Sequence, residues 1–433
     1  MSHRFLADDF TEEPYWTESL PPFEITGGTP PAAAEVAVIG GGYAGLSAAL
    51  TLARAGRSVV VLEMRGIGDG AAARAAGSLS HVPKAGLADL AKRYGEPTAR
   101  EVYREAREAR EYVEGLIRDH RIECGLRSGW RFVAAHSPRA FERQRASYAT
   151  LRETWGEVEL VERSAQRAVI GSDAFFGGVK IPRSATLQPA MLQRGLARAA
   201  VAAGATLVQH NRVHAVQRTA SGFTLTTDTG TVAAKAVILA TNGETAVDAP
   251  GMARLRRRLL RIPAFALATQ PVPAELVRRV LPIGGPVSDT YKIINYIAPD
   301  ETGTRFILSG RAGRSDGDLR GKATRMFGYF RDRFPDLHDV RVSHCWTGSF
   351  AVTADWMPHV GVEDGIHYVL GCCGTGIPMS TYLGHKVAQS IIDRDAAPPV
   401  FARPLPSFPL FGAEEALLPI AVRGYALRDR LFR

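Results

Sequence analysis

The sequence predicts a mixed α/β fold (α+β in places) in which a parallel-sheet domain is interrupted by a domain built on an antiparallel sheet. The first observation is a strand, a helix and a second strand between Glu35 and Glu63, the pattern of a parallel βαβ unit. The second is the apolar run 236–240, which suits another buried strand of the same sheet. The third is the stretch 247–343, where apolar and polar residues alternate as in antiparallel strands with one buried face.

Length and composition set the limits of this interpretation. A chain of 433 residues is long enough for two domains that share a large core. No apolar run has the roughly 18 residues that a membrane span needs, and the acidic start of the chain lacks the features of a secretory signal. Four cysteines do not make a disulfide framework, so we expect a reducing, cytoplasmic setting. The net charge of +9 comes without a nucleic-acid motif, and neither a nucleic-acid partner nor a metal site is predicted.

The segment after the first strand has the glycine spacing of a dinucleotide-binding turn, as in a Rossmann-like domain. Gly40 permits a tight turn, Gly42 lets a pyrophosphate approach the backbone, and Gly45 lets the helix pack closely on the strand. The helix N-terminus supplies N–H donors to the phosphates. Glu63, at the end of the second strand, is placed to accept hydrogen bonds from an adenosine ribose. The alternative is a tight turn without a ligand, and the motif alone does not separate FAD from NAD.

Two further segments are rich in glycine and other small residues. One runs from Asp69 to Ser80 and contains Arg74 and Gly77. Small residues let the backbone approach a ligand closely, although a flexible loop would have the same composition. The other is the Gly371–Gly376 turn, which lies between a predicted strand and a predicted helix and would direct backbone N–H groups at one point. Its alternative is an ordinary strand–helix connection.

These patterns predict a discontinuous domain organisation, because the strand at 236–240 returns the chain to the first sheet. The predicted parts are an N-terminal arm (1–33), a nucleotide-binding domain (34–83, 184–247 and 344–394), a substrate-binding domain (84–183 and 248–343) and a C-terminal tail (395–433).

The arrangement resembles the D-amino-acid-oxidase-like (DAO) flavoproteins, and within them most closely the γ-glutamylputrescine oxidase branch. The resemblance covers roughly residues 14–394. Its pieces are, in order, Pro14-Tyr15-Trp16, VAVIGGGYAGLSAALTLARAG, TLQPAMLQRGLARAA, VILATNG, WTGSFAVTADWMPHVG and GIHYVLGCCGTGIPMSTYLG. The first glycine motif is shared by many flavoproteins, whereas the whole set in this order is specific.

The resemblance implies FAD rather than NAD, held in a glutathione-reductase-like domain of the DAO type with the flavin ring facing the antiparallel domain. The residues that it implies for FAD binding are Gly40, Gly42, Tyr43, Ala44, Gly45, Glu63, Met64, Arg65, Arg74, Gly77, Ser78, Leu79, Val213, Ala240, Thr241, Gly243, Gly371, Gly374, Thr375, Gly376 and Ile377.

The chain departs from the family pattern near the expected flavin ring. The segment Gly70–Gly77 lacks the Ser and Asn that the family often has there, and Thr375 stands where the family often has His. Some sarcosine oxidases attach the flavin through a cysteine, and Gly348 stands at that position in this sequence. We therefore expect noncovalent FAD.

For the substrate, the sequence offers positioning groups rather than a catalytic triad. The candidates are His81, Tyr291, Tyr296, Arg311 (with Arg314 as its alternative) and Trp346. The histidine follows the flavin-side loop, the tyrosines lie on a predicted substrate-facing sheet, and an arginine would pair with a substrate carboxylate. Each candidate also has a structural alternative, namely a satisfied histidine, core packing or an exposed loop.

The resemblance implies oxidation of a C–N bond in an amine or amino acid to an imine, which water hydrolyses, with the flavin reoxidised by O2 to give H2O2. One alternative is a dehydrogenase of the same fold that passes electrons to a quinone or carrier protein, docking through the arginine-rich stretch 254–261. Another is a flavin-binding subunit without turnover. Cys372 and Cys373 are either redox-active or, by the simpler interpretation, buried inert thiols.

Overall fold

A computed structural model describes residues 5–18, 20, 21, 23, 28–245, 250–291, 294–310, 318–408 and 424. The strands are β1 (Leu6–Thr11), β2 (Ala33–Ile39), β3 (Val59–Leu62), β4 (Ser78–Leu79), β5 (Arg127–Ala134), β6 (Glu159–Val161), β7 (Gly178–Thr186), β8 (Thr206–Val208), β9 (Val213–Thr219), β10 (Gly222–Thr227), β11 (Gly230–Leu239), β12 (Leu260–Thr269), β13 (Val287–Asp289), β14 (Tyr296–Pro299), β15 (Phe306–Gly310), β16 (Val342–Val352), β17 (His359–Glu363) and β18 (Ile366–Leu370). The α-helices are α1 (Tyr15–Glu18), α2 (Tyr43–Arg54), α3 (Leu87–Tyr94), α4 (Glu96–Asp119), α5 (Pro138–Trp155), α6 (Pro189–Ala202), α7 (Ala253–Arg256), α8 (Ala274–Val280), α9 (Leu319–Arg331) and α10 (Thr381–Ile392).

The first sheet holds the βαβ unit and has the order β17–β18–β11–β2–β3–β8. Its strands are parallel from β18 to β8, while β17 is antiparallel, and β9 and β10 form a meander with β11. Val36 and Val38 pack on the helical side with α2, α6 and α10, and Ala37 and Ile39 pack on the meander side. Because this sheet is covered on both faces, its central strands are apolar throughout rather than alternating.

The second sheet has the order β1–β16–β12–β15–β14–β13–β5–β7–β4, with β6 on β7. Its pairs are antiparallel except for β1–β16 and β13–β5. Helix α9 packs Phe327 and Phe330 against Phe265 and Leu308 on one face of this sheet. The other face is directed at the first sheet's glycine turns, and the space between them is the candidate site. The predicted α/β architecture is confirmed.

The membership of the two sheets differs in places from the predicted domain bounds, which themselves stay a prediction. Strands β1, β4 and β16 belong to the second sheet, although their residues fall in the predicted arm and nucleotide-binding domain. The cause is long-range pairing, since β16 pairs with β12 from Val352–Leu260 to Val342–Thr269. Among the described residues, no helix is long and apolar enough to cross a membrane, and no metal-binding cluster is found.

Helices α2 and α10 approach each other closely at Gly384. A Cβ added to Gly384 of α10 would lie 2.1 Å from the carbonyl oxygen of Ala44 in α2. Real Cβ atoms do not approach a carbonyl so closely, so the position accepts only glycine unless the two helices move apart. This contact fixes the first turn of α2, which begins directly after the glycine motif.

We predict that Gly384→Ala lowers the free energy of unfolding by about 1–3 kcal/mol, as overpacking of a tight contact does. Gly328→Ala in α9 is the matched control, because a Cβ there would meet no atom within 4 Å. In that helix alanine should be neutral or stabilising by up to about 1 kcal/mol. Urea denaturation measures both variants, and equal stability of the two would contradict the proposed contact.

Candidate active site

The glycine motif forms a tight turn between β2 and α2. Gly40 has φ +105°, and a Cβ there would lie 2.9 Å from the carbonyl oxygen of Ala240. A Cβ on Gly45 would lie 1.9 Å from the carbonyl oxygen of Gly40, so helix and turn are in direct backbone contact. Gly42 is different, since a Cβ there would meet no atom within 4 Å and the residue lines a large cavity. The space beside Gly42 is therefore available to a ligand.

Glu63 lies at the end of β3 and holds the turn in shape. Its carboxylate accepts hydrogen bonds from the backbone N–H groups of Gly41 at 2.7 Å and Arg65 at 3.0 Å. Burial raises the pKa of Glu63, and the two N–H donors counteract that rise. Gln193 of α6 adds a bond from Nε2 to the Gly41 carbonyl oxygen at 2.8 Å, while its buried Oε1 has no partner in the described part of the chain. The turn is thus fixed on both sides and keeps an unused acceptor beside the cavity.

A single cavity of about 2230 Å³ runs from the glycine turn to the second sheet. It exceeds the roughly 300–1,000 Å³ of ordinary ligand pockets, so it has room for a dinucleotide and a second molecule. The predicted cofactor residues that line it are Gly40, Gly42, Tyr43, Ala44, Glu63, Met64, Arg65, Arg74, Ser78, Val213, Ala240, Thr241, Gly374, Thr375, Gly376 and Ile377. The predicted residues outside its lining are Gly45, Gly77, Leu79, Gly243 and Gly371.

Two tryptophans support the small-residue loop that forms one wall. The indole of Trp346 donates to the carbonyl oxygen of Arg74 at 3.0 Å, and the indole of Trp16 donates to that of Ala75 at 2.8 Å. The two rings pack edge to face with centroids 6.1 Å apart. Trp346, one of the predicted substrate-positioning residues, is fully buried and does not line the cavity, so it supports the wall from behind.

The third glycine turn is held by Asn242, which has φ +47°. Its Oδ1 accepts from the N–H of Gly371 at 3.0 Å, and its Nδ2 lies 3.2 Å from the sulfur of Cys372. Burial raises the pKa of the Cys372 thiol, and burial raises that of Cys373 to about 12. Both thiols are therefore protonated near neutral pH, which favours the interpretation that they are inert.

The part of the cavity beside the second sheet contains an arginine that sequence reasoning did not identify. Arg131 of β5 is half-buried and lines the cavity. Its guanidinium donates to the hydroxyls of Ser288 at 2.8 Å and Ser80 at 3.4 Å, and its Nε has no partner among the residues that the structure describes. Among the described residues no carboxylate pairs with it, although burial lowers its pKa and an arginine stays charged in proteins. A cation in this position lacks its counter-ion.

Tyr296 lies beside this cation on β14. Its side chain is 7% exposed and lines the cavity, and its hydroxyl has no hydrogen-bond partner in the part of the chain that the structure describes. Burial raises the pKa of Tyr296 to about 12, so the hydroxyl is a neutral donor near neutral pH. The guanidinium and the hydroxyl together present unused donors to whatever occupies this end of the cavity.

The cavity wall after β13 is anchored by Asp289, which is 5% exposed. Its carboxylate accepts from the backbone N–H groups of Tyr291 and Asn295, the Asn295 amide and the Tyr329 hydroxyl. Burial raises its pKa to about 6, against the effect of these donors. Tyr291, which lines the cavity, stacks on His136 with ring centroids 4.2 Å apart. Since its acceptors are taken, Asp289 positions this wall rather than acting as a base.

Of the remaining predicted substrate residues, His81 does not join this group. His81 is 3% exposed, packs 4.3 Å from the Trp155 ring, and lies outside the lining of the large cavity. Burial lowers its pKa to about 3, so the ring is neutral in the folded protein. Arg311 and Arg314 lie outside the described residues, and their role stays a prediction.

The surroundings fit FAD, which the sequence led us to expect. The pyrophosphate would lie at Gly42 and the first N–H groups of α2, where the space is open and the potential is positive. The turn from Gly374 to Ile377 would lie at the flavin end of the same cavity. The unpartnered Oε1 of Gln193 is consistent with a missing donor at this site.

We predict that Gly42→Val weakens FAD binding at least about tenfold, because the valine side chain would fill the space left for the pyrophosphate. Folding should be unaffected, since no protein atom lies within 4 Å of the new Cβ. Gly129→Val is the control, being equally uncrowded but outside the cavity lining. Titration of apo-protein with FAD gives the dissociation constants. An unchanged dissociation constant for Gly42→Val would show that the pyrophosphate does not bind beside Gly42.

Comparison with solved structures shows where this fold recurs. The structure resembles glycine oxidase from Geobacillus kaustophilus with a TM-score of 0.69 and 21% identity, covering 85% of this chain and 96% of that one. It resembles L-proline dehydrogenase from P. horikoshii with a TM-score of 0.68 and 19% identity, covering 86% and 96% of the two chains. At these identities the likeness establishes the fold.

Sequence relatives extend over nearly the whole chain. Gamma-glutamylputrescine oxidoreductase of Escherichia coli (strain K12) is 29% identical over 408 residues, 92% of this chain and 93% of the relative. The probable oxidoreductase OrdL of Rhizobium meliloti (strain 1021) is 28% identical over 405 residues, 92% of each chain. Residues 35–390 match the DAO family, described as FAD dependent oxidoreductase. The chain therefore belongs to the DAO family of FAD-dependent oxidoreductases, and FAD is its cofactor.

Proposed function

We propose that this enzyme oxidises the C–N bond of an amine that carries a carboxylate, such as an amino acid, and that O2 reoxidises the flavin. The substrate loses two protons and two electrons to become an imine, which water hydrolyses, and O2 takes up two protons and two electrons to become H2O2. The names of its relatives support an amino substrate, since they include gamma-glutamylputrescine oxidoreductase and glycine oxidase. The single observation that carries the proposal is the uncompensated guanidinium of Arg131 inside the cavity.

Arg131 supplies the charge that a substrate carboxylate needs. A guanidinium presents its donors as a fork that matches a carboxylate, and its present partners are two neutral serine hydroxyls. A buried charge without a counter-ion lowers the stability of a folded protein. Such a group is therefore retained where a ligand supplies the counter-ion. Tyr296 adds a neutral donor beside it, suited to the second carboxylate oxygen or to the substrate nitrogen.

The described residues orient the substrate, and the cofactor carries the electrons. When bound, FAD accepts two electrons and hydrogen from a C–H bond adjacent to nitrogen. Arg131 would fix one end of the substrate, and the wall held by Asp289 would limit its rotation. Because such chemistry needs little acid–base assistance when the amine binds neutral, the absence of a triad among the described cavity residues is consistent with it.

The dehydrogenase alternative relied on the arginine-rich stretch 254–261 as a docking surface. Several of these arginines are engaged within the chain: Arg254 and Arg258 pair with Glu363, and Arg261 pairs with Glu244. Their charge is thus partly balanced, and nothing in the described surface favours a carrier protein over O2.

We also propose that FAD is noncovalent, because Gly348 stands at the position where some sarcosine oxidases have the cysteine that attaches the flavin. Preparing the apo-protein for the Gly42→Val titration tests this, since noncovalent FAD should leave the protein and covalent FAD would remain attached.

We predict that an amino acid or carboxylate-bearing amine bleaches the yellow protein under anaerobic conditions. Admitting air should restore the colour with one H2O2 formed per substrate oxidised. If the colour is bleached but does not return rapidly in air, the enzyme is a dehydrogenase. Return of the colour on adding a quinone would then be the positive test for it. Failure of every amine in a broad panel to bleach the flavin would contradict the proposed reaction and favour a flavin-binding subunit.

We predict that Arg131→Met raises KM for a carboxylate-bearing substrate by about ten- to a hundredfold, since a charge-assisted hydrogen bond contributes roughly 1.5–3 kcal/mol. An amine without a carboxylate should lose far less. Arg131→Lys should fall between, because it keeps the charge but not the fork. Arg127→Met on the exposed part of β5 is the control. An equal rise in KM for both substrates, or loss of FAD, would show that Arg131 does not bind the substrate carboxylate.

A further inference from the structure

The cavity also has a part that the proposed reaction does not require. There it is lined by one face of α5 and by the segment 82–93, and we call this region the outer lobe. The α5 residues that line it include Arg139, Arg143, Ser147 and Thr150, spaced three or four apart as one helix face requires. From the first to the last of these the helix rises about 16 Å.

The outer lobe is strongly basic. Among the residues that the structure describes, its cationic lining residues are Lys84, Lys92, Arg93, Arg139 and Arg143, and its acidic ones are Asp89 and Asp355. Asp355 is already engaged, since it accepts from the Tyr94 hydroxyl at 2.8 Å and lies 3.1 Å from Nε2 of His359. A cleft lined by one sign of charge concentrates ligands of the opposite sign.

The arginines of α5 are engaged to different degrees. Arg145, outside the cavity lining, pairs with Glu162 at 3.1 Å and lies over the Phe141 ring. Arg143, which lines the cavity, is exposed and has no acidic partner in the described part of the chain. Its charge is thus available to a ligand in the cavity.

We propose that the outer lobe binds the distal carboxylate of an elongated substrate whose reacting end lies at Arg131, with Arg143 as the principal contact. This rests on the proposed function only in assigning the inner end of the cavity to the substrate's first carboxylate. The substrate class is then an amino compound with two anionic ends separated by a flexible chain. Short amino acids would occupy the inner end alone.

Straight-chain dicarboxylates test the outer lobe without turnover. Glutarate, adipate, pimelate and suberate are titrated into the FAD-loaded enzyme, each beside its own monoamide, and the visible flavin spectrum reports binding. At the length that spans both arginines, the dicarboxylate should bind at least about tenfold more tightly than its monoamide at low salt. At 1 M salt, where the screening length is about 3 Å, this advantage should shrink.

Three variants test which residue causes the tighter binding of the dicarboxylate. Arg143→Met should reduce the dicarboxylate advantage to about twofold or less while leaving monoamide binding unchanged, and Lys92→Met should reduce it in part. Arg145→Met, on the same helix but outside the cavity, should keep the advantage. Equal affinity of dicarboxylate and monoamide at every length, or equal weakening of both by Arg143→Met, would overturn the proposal. These outcomes are separate from amine bleaching, so failure of the reaction and failure of the outer lobe are distinguishable.

Discussion

The close approach of backbone to backbone around α2 is the constraint on which the rest of the site depends. The helix starts in contact with the glycine turn through Gly45 and is held from the other side by α10 through Gly384. With no side chains between them, the three segments have little freedom to shift. The first N–H groups of the helix are consequently fixed in direction, and the open space beside Gly42 lies directly in front of them. Fixed donors lose little entropy when an anion binds, which is the advantage of a preorganised site.

A second constraint concerns charge on the opposite side of the cavity. The cofactor side is built mainly from backbone groups and small residues, whereas the substrate side contains a guanidinium with only hydroxyl partners. The protein has acidic residues close to the cavity, but Glu63 and Asp289 are each occupied by several donors. These two carboxylates thus organise the walls, whereas Arg131 has no carboxylate partner among the described residues.

Much of the cofactor side was predictable because its determinants are local. The spacing of Gly40, Gly42 and Gly45, and the acid that follows the next strand, are all read within one short segment. The later glycine turn is equally local, and the structure brings it to the same cavity. Most residues that sequence reasoning assigned to FAD lie along that cavity because parallel strands end at one edge of their sheet.

The substrate side was less predictable because its determinants are not local. Arg131 stands out because its described partners, Ser80 after β4 and Ser288 in β13, are hydroxyls rather than carboxylates. No short segment of the sequence reveals this, since these residues are far apart in the chain. His81 was placed near the flavin by its position after the loop, yet its ring packs on Trp155, more than seventy positions later in the chain. The arginine-rich stretch looked free in the sequence and is partly paired with residues about a hundred positions away.

The hydrogen bond from Trp16 to Ala75 makes the N-terminal arm part of the cofactor site. The arm's own backbone is held in turn by Gln188, whose amide donates to the Trp16 carbonyl oxygen at 2.6 Å. Changes near Trp16 therefore act on the loop that lines the cavity, although none of the arm's described residues lines that space. The start of the chain is thus coupled to the shape of a ligand site from which it is separated.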